Sequence, residues 1–183
     1  VYGAVILAMI FWAFSFIWFK VANIHFQPIT IVFLRLLIAV ILLTTYLTIT
    51  KRFVKIRKSD YKLFLMMSLF EPFIYYLGES YGLTYVSATV FSVLISTIPV
   101  FATIGAWIFF KEKLKVINYL GIVLSFIGVL VFIMNKDGSI SYNLKGLALI
   151  FLAVFAAVGY NLTLSRLVDH YSPIYIVNVQ NVI

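Results

Sequence analysis

Cysteine is absent from this chain of 183 residues, and acidic residues are scarce. Without thiols, the sequence excludes disulfide bonds, thiolate nucleophiles and cysteine-ligated metal sites. Asp and Glu number only 6 against 14 Lys and Arg, and charged residues make up 11% of the chain, compared with about 25% in an ordinary soluble domain. Three catalytic signatures, HExxH, G-x-S-x-G and a phosphate-binding loop, are missing as well. These absences predict a protein that is not an enzyme and that uses no cofactor or metal ion.

Apolar residues are abundant and occur in long runs. They make up 64% of the sequence, more than a soluble core could bury at this length. A bilayer has a hydrocarbon thickness of ~30 Å and needs ~20 apolar residues per crossing helix. The sequence therefore predicts an all-α polytopic membrane protein, and a seventh apolar run that begins at Pro173 and ends after eleven residues makes us expect a fragment of a longer chain. The six predicted spans are Tyr2–Ala22, Pro28–Ile49, 61–81, 87–110, 116–134 and 147–167.

The basic residues are concentrated in loops on one predicted side of the membrane. A net charge of +8 could suggest nucleic acid, but six of the 14 bases lie between the second and third spans, and three more follow the fourth. Loops rich in Lys and Arg are typically cytoplasmic. We therefore expect a multi-pass protein of the cell (inner) membrane with a cytoplasmic N-terminus, in contact with the lipid bilayer and not with nucleic acid.

An internal repeat relates the beginning and the end of the sequence. A shift of 145 residues aligns His25 with His170 and Pro28 with Pro173, each at the junction between two spans. Five spans separate the copies, so the second copy enters the membrane from the opposite side, as in the inverted repeats of many secondary transporters. The polar stretch 135–145 is the predicted boundary, which divides the chain into domains 1–134 and 135–183.

Several short motifs carry a resemblance to a known family. The chain is similar to the EamA-type domain of the drug/metabolite transporter (DMT) superfamily in five motifs, which are WAFSF at 12–16, LTYVSA at 83–88, STIPVF at 96–101, FFKEKL at 109–114 and the glycines of the fifth span. The resemblance implies a ten-helix inner-membrane carrier built from two five-helix inverted repeats, here truncated within the seventh helix. It further implies efflux of amino acids or other small metabolites by alternating access, with the second five-helix half of the same chain as partner. The alternative is a non-transporting membrane scaffold or a lipid-handling assembly protein.

Two glutamates and an arginine are the main candidates for transport chemistry. A charge inside an apolar span is costly and usually faces protein or water. Counting 1.5 Å per helical residue places Glu71 about 15 Å deep, Glu79 about 27 Å from the same side, and Arg35 about 10 Å from the other side. Glu71 is predicted either to couple transport to protons or to bind a cationic group of the substrate. The alternative is a structural ion pair with Arg35, and Glu79 is expected at the outer interface or as an outer gate.

The remaining candidates are uncharged. Tyr75 lies one turn after Glu71 on the same predicted helical stripe and could line a substrate path or simply pack against neighbours. Ser96 and Pro99 predict a kinked, cavity-facing fourth span, since proline removes one helical hydrogen bond. Asn161 could contact substrate from the second repeat or bond to a neighbouring helix, and Trp12 could face a central cavity.

Overall fold

The computed structural model describes residues 2–111, 113–134 and 142–183. Five segments of this part are long and apolar enough to cross a membrane, and they correspond to the first, second, fourth, fifth and sixth predicted spans, with 88–110 taken as one segment. The all-helical, multi-pass prediction is therefore confirmed. The described residues form nine α-helices: α1 (Tyr2–Ala22), α2 (Pro28–Ile49), α3 (Tyr61–Ser68), α4 (Tyr75–Tyr85), α5 (Ala88–Ile95), α6 (Ile98–Phe110), α7 (Val116–Ile133), α8 (Leu144–Leu164) and α9 (Pro173–Val182).

The third predicted span, 61–81, is not one continuous helix. It is divided into α3 and α4 at Glu71, whose backbone is extended with φ −142° and ψ 124°. The cause is local, because the ring of Pro72 disfavours the helical conformation of the preceding residue, and proline has no N–H to donate. The prediction of 61–81 as a single span is therefore corrected, because the segment is divided between two helices and is not among the five that are long and apolar enough to cross a membrane.

The predicted start of the sixth span is corrected, and the predicted domain boundary lies partly outside the residues that the structure describes. The sixth span, predicted at 147–167, is α8, which begins three residues earlier at Leu144. Its start is set by Asn143, whose side chain accepts hydrogen bonds from the backbone N–H groups of Lys145 and Gly146, as a helix cap does. Within the predicted boundary stretch 135–145, residues 135–141 lie outside the described residues.

Helix α8 occupies the centre of the bundle and packs against α3, α4, α5 and α6. Its contact with α4 is close because the facing residues are small. A Cβ atom added at Gly78 would lie 2.7 Å from the carbonyl oxygen of Leu149 and 3.0 Å from the Cβ of Ala153. Small residues allow membrane helices to approach closely, so the α4–α8 contact fixes where the other faces of α4 point.

Helices α2 and α9 pack side by side in opposite directions. The hydroxyl of Thr44, five residues before the end of α2, donates a 3.0 Å hydrogen bond to the side-chain oxygen of Asn178, five residues after the start of α9. A cleft between the same two helices joins the start of α2 to the end of α9. These helices are partners under the 145-residue shift, and their antiparallel packing agrees with the inverted repeat, which itself stays a prediction.

Candidate transport site

Glu71 lies at the break between α3 and α4, where its extended backbone separates it from both helices. The side chain is partly buried. Within 2–111, 113–134 and 142–183 it forms neither a salt bridge nor a side-chain hydrogen bond. The Glu71 carboxylate is therefore available to bind a proton or a cationic group.

Glu79, in the middle of α4, is paired. Its Oε2 atom accepts a hydrogen bond from Nη1 of Arg35 at 3.4 Å, and only 2% of its side chain is exposed. The Arg35 guanidinium also lies over the ring of Tyr76, 4.5 Å from its centroid, which adds a cation–π contact. Among the described residues Arg35 therefore pairs with Glu79, and not with Glu71 as the structural alternative for Glu71 would require.

The break between α3 and α4 explains why Arg35 is bonded to Glu79 and not to Glu71. The depth estimate for Glu79 assumed a straight helix through Glu71, and an extended residue alters both the rise and the direction of the chain. In the structure α4 turns Gly78 and Gly82 towards α8, while Glu79 points to α2. Glu79 is therefore a buried group between helices, and the predicted stripe that begins at Glu71 is interrupted.

Tyrosines and amides lie near the unpaired acid. Tyr75 is 4% exposed, and its hydroxyl has no hydrogen-bond partner among the described residues. Tyr160 of α8 follows Gly159, which lies against Phe70, the residue before Glu71. Gln180 of α9 has a side-chain oxygen that is also buried without a partner in the described part. Buried polar atoms are nearly always bonded, so such groups point to a site that another molecule or chain segment completes.

The other predicted residues make local contacts within their own segments. Ser96 is exposed, and its hydroxyl donates to the carbonyl of Val93. Asn161 is exposed too, and its amide donates within α8 to the carbonyl of Ala157 at 2.8 Å. Trp12 is 42% exposed on α1 and contacts Phe16 edge to face. Pro99 lies in the first turn of α6, after an interruption at Ser96 and Thr97 that separates α5 from α6.

Sequence reasoning missed four polar residues of the interior: Tyr76, Tyr160, Asn178 and Gln180. Asn178 and Gln180 are each 4% exposed within the short seventh segment. Their signal was present, because amides inside an apolar run indicate interior contacts or a substrate path. These amides were not selected because the seventh apolar run is too short to cross a membrane by itself.

At one end of the bundle, Tyr171, just before α9, and Tyr175, in its first turn, bind the basic loop between α2 and α3. The hydroxyl of Tyr171 donates to Asp60 at 2.7 Å and accepts from the backbone N–H of Arg57 at 3.0 Å. The hydroxyl of Tyr175 donates to the carbonyl of Val54. The hydrogen bonds to Asp60 from Tyr171 and then from Ser59 lower the pKa of that carboxyl. This end, which we call the basic end, is therefore held together by contacts between the α2–α3 loop and the residues at the start of α9.

The sequence is similar to a family of transporters and to several of its members. The model of the EamA-like transporter family matches residues 1–134. An uncharacterized transporter of Archaeoglobus fulgidus is 30% identical over 168 residues, which cover 92% of this chain and 58% of that protein. The uncharacterized transporter YdfC of Bacillus subtilis is 28% identical over 160 residues, which cover 87% of this chain and 52% of that protein.

A third relative is the uncharacterized transporter YoaV of Bacillus subtilis, 29% identical over 133 residues, which cover 73% of this chain and 45% of that protein. The chain thus spans about half the length of the curated relatives it matches. No solved structure matches it. Because the family model covers most of the sequence, and five segments have the length and composition of membrane spans, this chain belongs to the EamA-like transporter family.

Proposed function

We propose that this protein is a secondary transporter that exports small metabolites, such as amino acids or drug-like compounds, by alternating access. The family is one of transporters and not of enzymes. Residues 1–134 form the first five-helix domain in this proposal, and 135–183 begin the second. The remaining helices of a second half of the same chain would complete the cavity. The antiparallel packing of α2 and α9 supports this arrangement.

The proposed setting is the cell (inner) membrane with the basic end in the cytoplasm. Lysines and arginines of the loops 50–60 and 111–115 lie at that end, as the positive-inside rule requires of cytoplasmic loops. The N-terminus is then cytoplasmic as well. The hydrogen bonds of Tyr171 and Tyr175 would close the cytoplasmic side in this conformation and would break when the carrier opens to the cytoplasm.

Glu71 is the residue on which transport chemistry depends in this proposal. The observation that carries it is the contrast within one crossing, where Glu79 is neutralised by Arg35 and Glu71 has no partner among the described residues. Secondary transporters place substrate and ion sites at interrupted helices near the middle of the membrane. A carboxylate at such a break can bind a proton in one conformation and release it in another, or bind a cationic group of the substrate.

A ligand screen followed by a flux measurement tests the function. The full-length protein in detergent is heated with a panel of amino acids, amines and nucleosides, and a compound that raises the melting temperature is then followed into proteoliposomes in radiolabelled form. We expect uptake into the liposomes that exceeds that of protein-free liposomes. No stabilisation by any compound of the panel and no flux would favour the scaffold or lipid-handling alternative.

A further inference from the structure

A second cleft opens at the basic end, between the start of α3, the end of α6 and the end of α8, on another side of α3 from α9. It has a volume of about 630 Å³. Its floor is aromatic and aliphatic, with Phe70, Phe109, Phe155 and Leu162 among the lining residues. An apolar cleft of this size on a membrane protein accommodates hydrocarbon.

The rim of the same cleft is cationic. Lys62 of α3 and Arg166, just after α8, both line it, together with the hydroxyl-bearing Ser59. The Arg166 guanidinium lies over the ring of Phe110, 5.4 Å from its centroid, which orients the charge at the mouth of the cleft. No acidic residue of the described ranges lines the cleft. The site therefore combines two positive charges at its mouth with an apolar interior.

This combination matches one class of molecule. Basic pockets between membrane helices on the cytoplasmic side bind the headgroups of anionic lipids. Arginine binds phosphate oxygens in a bidentate manner, and lysine adds a point charge. A zwitterionic lipid fits less well, because its own cationic group would lie beside Lys62 and Arg166.

We propose that this cleft binds one anionic phospholipid, with the phosphate between Lys62 and Arg166 and an acyl chain along Phe109 and Phe155. The bound lipid joins α3 to α8 next to the break at Glu71. Phe70, which precedes Glu71, lines the cleft and covers Gly159, where an added Cβ atom would lie 2.7 Å from the phenyl ring. Occupancy of the cleft therefore stabilises the packing beside Glu71.

The test compares lipids and charge variants of the full-length protein. Native mass spectrometry counts bound phosphatidylglycerol and phosphatidylcholine, and thermal unfolding in detergent is measured with each lipid added. The double variant Lys62→Gln/Arg166→Gln removes the rim. Its control, Lys113→Gln/Lys115→Gln, removes two charges at the same end of the protein but outside the cleft. Met66→Trp keeps the charges and fills the cleft from a lining position that is 39% exposed.

We expect one phosphatidylglycerol to bind the wild type and the control and to raise their melting temperature more than phosphatidylcholine does. The rim variant should bind phosphatidylglycerol about thirtyfold more weakly, the change that two basic side chains near an anionic lipid are worth. Met66→Trp should lose the bound lipid as well.

Four results would overturn the proposal. The first is equal binding of the two lipids, and the second is an equal loss in the rim variant and the control. The third is the same stabilisation by inorganic phosphate, which would mean a site for a free anion. The fourth is lipid binding that none of the variants changes, which would mean that another part of the full-length chain covers the cleft.

Discussion

Glu71 and Glu79 are eight residues apart within the third predicted span, 61–81, yet their surroundings differ. Glu79 lies inside a regular helix, is 2% exposed, and is bonded to Arg35. Glu71 lies where the helix is broken and has no bonding partner among the described residues. Removing one member of a buried ion pair destabilises a protein, whereas removing an unpaired charge does not. Glu79 therefore holds α4 to α2, whereas Glu71 has no bond among the described residues that a substitution would break.

The largest expected effect is on stability, from Arg35→Leu. It leaves Glu79 buried without its counter-charge, and the free energy of unfolding should fall by about 3 kcal/mol, the lower end of the range for broken buried pairs, because Arg35 is itself partly exposed. Thermal unfolding in detergent measures the change. In the double variant Arg35→Leu/Glu79→Leu, no charge is left unpaired, so most of the loss should be recovered. A double variant no more stable than the single one would contradict the pair.

The next effect tests the packing that points Glu79 towards α2. In Gly78→Ala, the new Cβ would lie 2.7 Å from the Leu149 carbonyl oxygen, so α4 and α8 must move apart at a cost of about 2 kcal/mol. Gly121→Ala in α7 is the matched control, since a Cβ there has no neighbour within 4 Å. Melting temperatures of the two variants give the answer. Equal values would mean that the close α4–α8 approach does not position Glu79.

A smaller effect comes from neutralising each acid separately. Glu79→Gln should lower the free energy of unfolding by about 1.5 kcal/mol, the value of a charge-assisted hydrogen bond. Glu71→Gln should leave the unfolding temperature unchanged or raise it, because it removes an unpaired, partly buried charge. Both variants keep the side-chain shape. If Glu71→Gln were the more destabilising of the two, the roles of the acids would be reversed.

The smallest effect concerns an acid outside the membrane, Asp60. The hydrogen bond from Tyr171 lowers the pKa of this carboxyl in the folded protein below its value in the unfolded chain. Its contribution to stability is therefore complete above the ordinary pKa of about 3.9 and is lost as the pH falls through the lower folded value. Melting curves between neutral pH and pH 3 should show this acid-side loss, and Tyr171→Phe should reduce it. An unchanged pH profile in that variant would exclude the hydrogen bond as the cause.

Helix boundaries could be predicted where an apolar run is continuous. The first two helices match the predicted ranges Tyr2–Ala22 and Pro28–Ile49 because polar or turn-forming residues end each run. The break at Glu71 was missed although Pro72 signals it, since a count of apolar residues treats the crossing as straight. The expectation that Glu79 lies at the outer interface took the helix as straight, whereas in the structure Glu79 is buried and bonded to Arg35.

The central position of α8 could not be predicted from hydropathy. In its most apolar window, 44% of α8 is buried, whereas none of α7 is, although both runs are apolar enough to cross a membrane. The difference comes from which small residues lie opposite each other, such as Gly78 on α4 and Ala153 on α8. The sequence of one helix does not show which distant helix it will contact. For the same reason the cluster of Tyr160 and Gln180 near Glu71 became visible only in the fold.

Transport by Glu71→Gln tests the central claim most directly. Uptake of a substrate found in the ligand screen is measured in proteoliposomes at several external pH values, beside the wild type and Asp169→Asn as a control for an exposed acid outside the helices. We predict that Glu71→Gln lowers uptake at least about tenfold, as expected from the loss of one charged contact, and that it flattens the pH dependence while the melting temperature is kept. Unchanged uptake with an unchanged pH dependence would contradict the account.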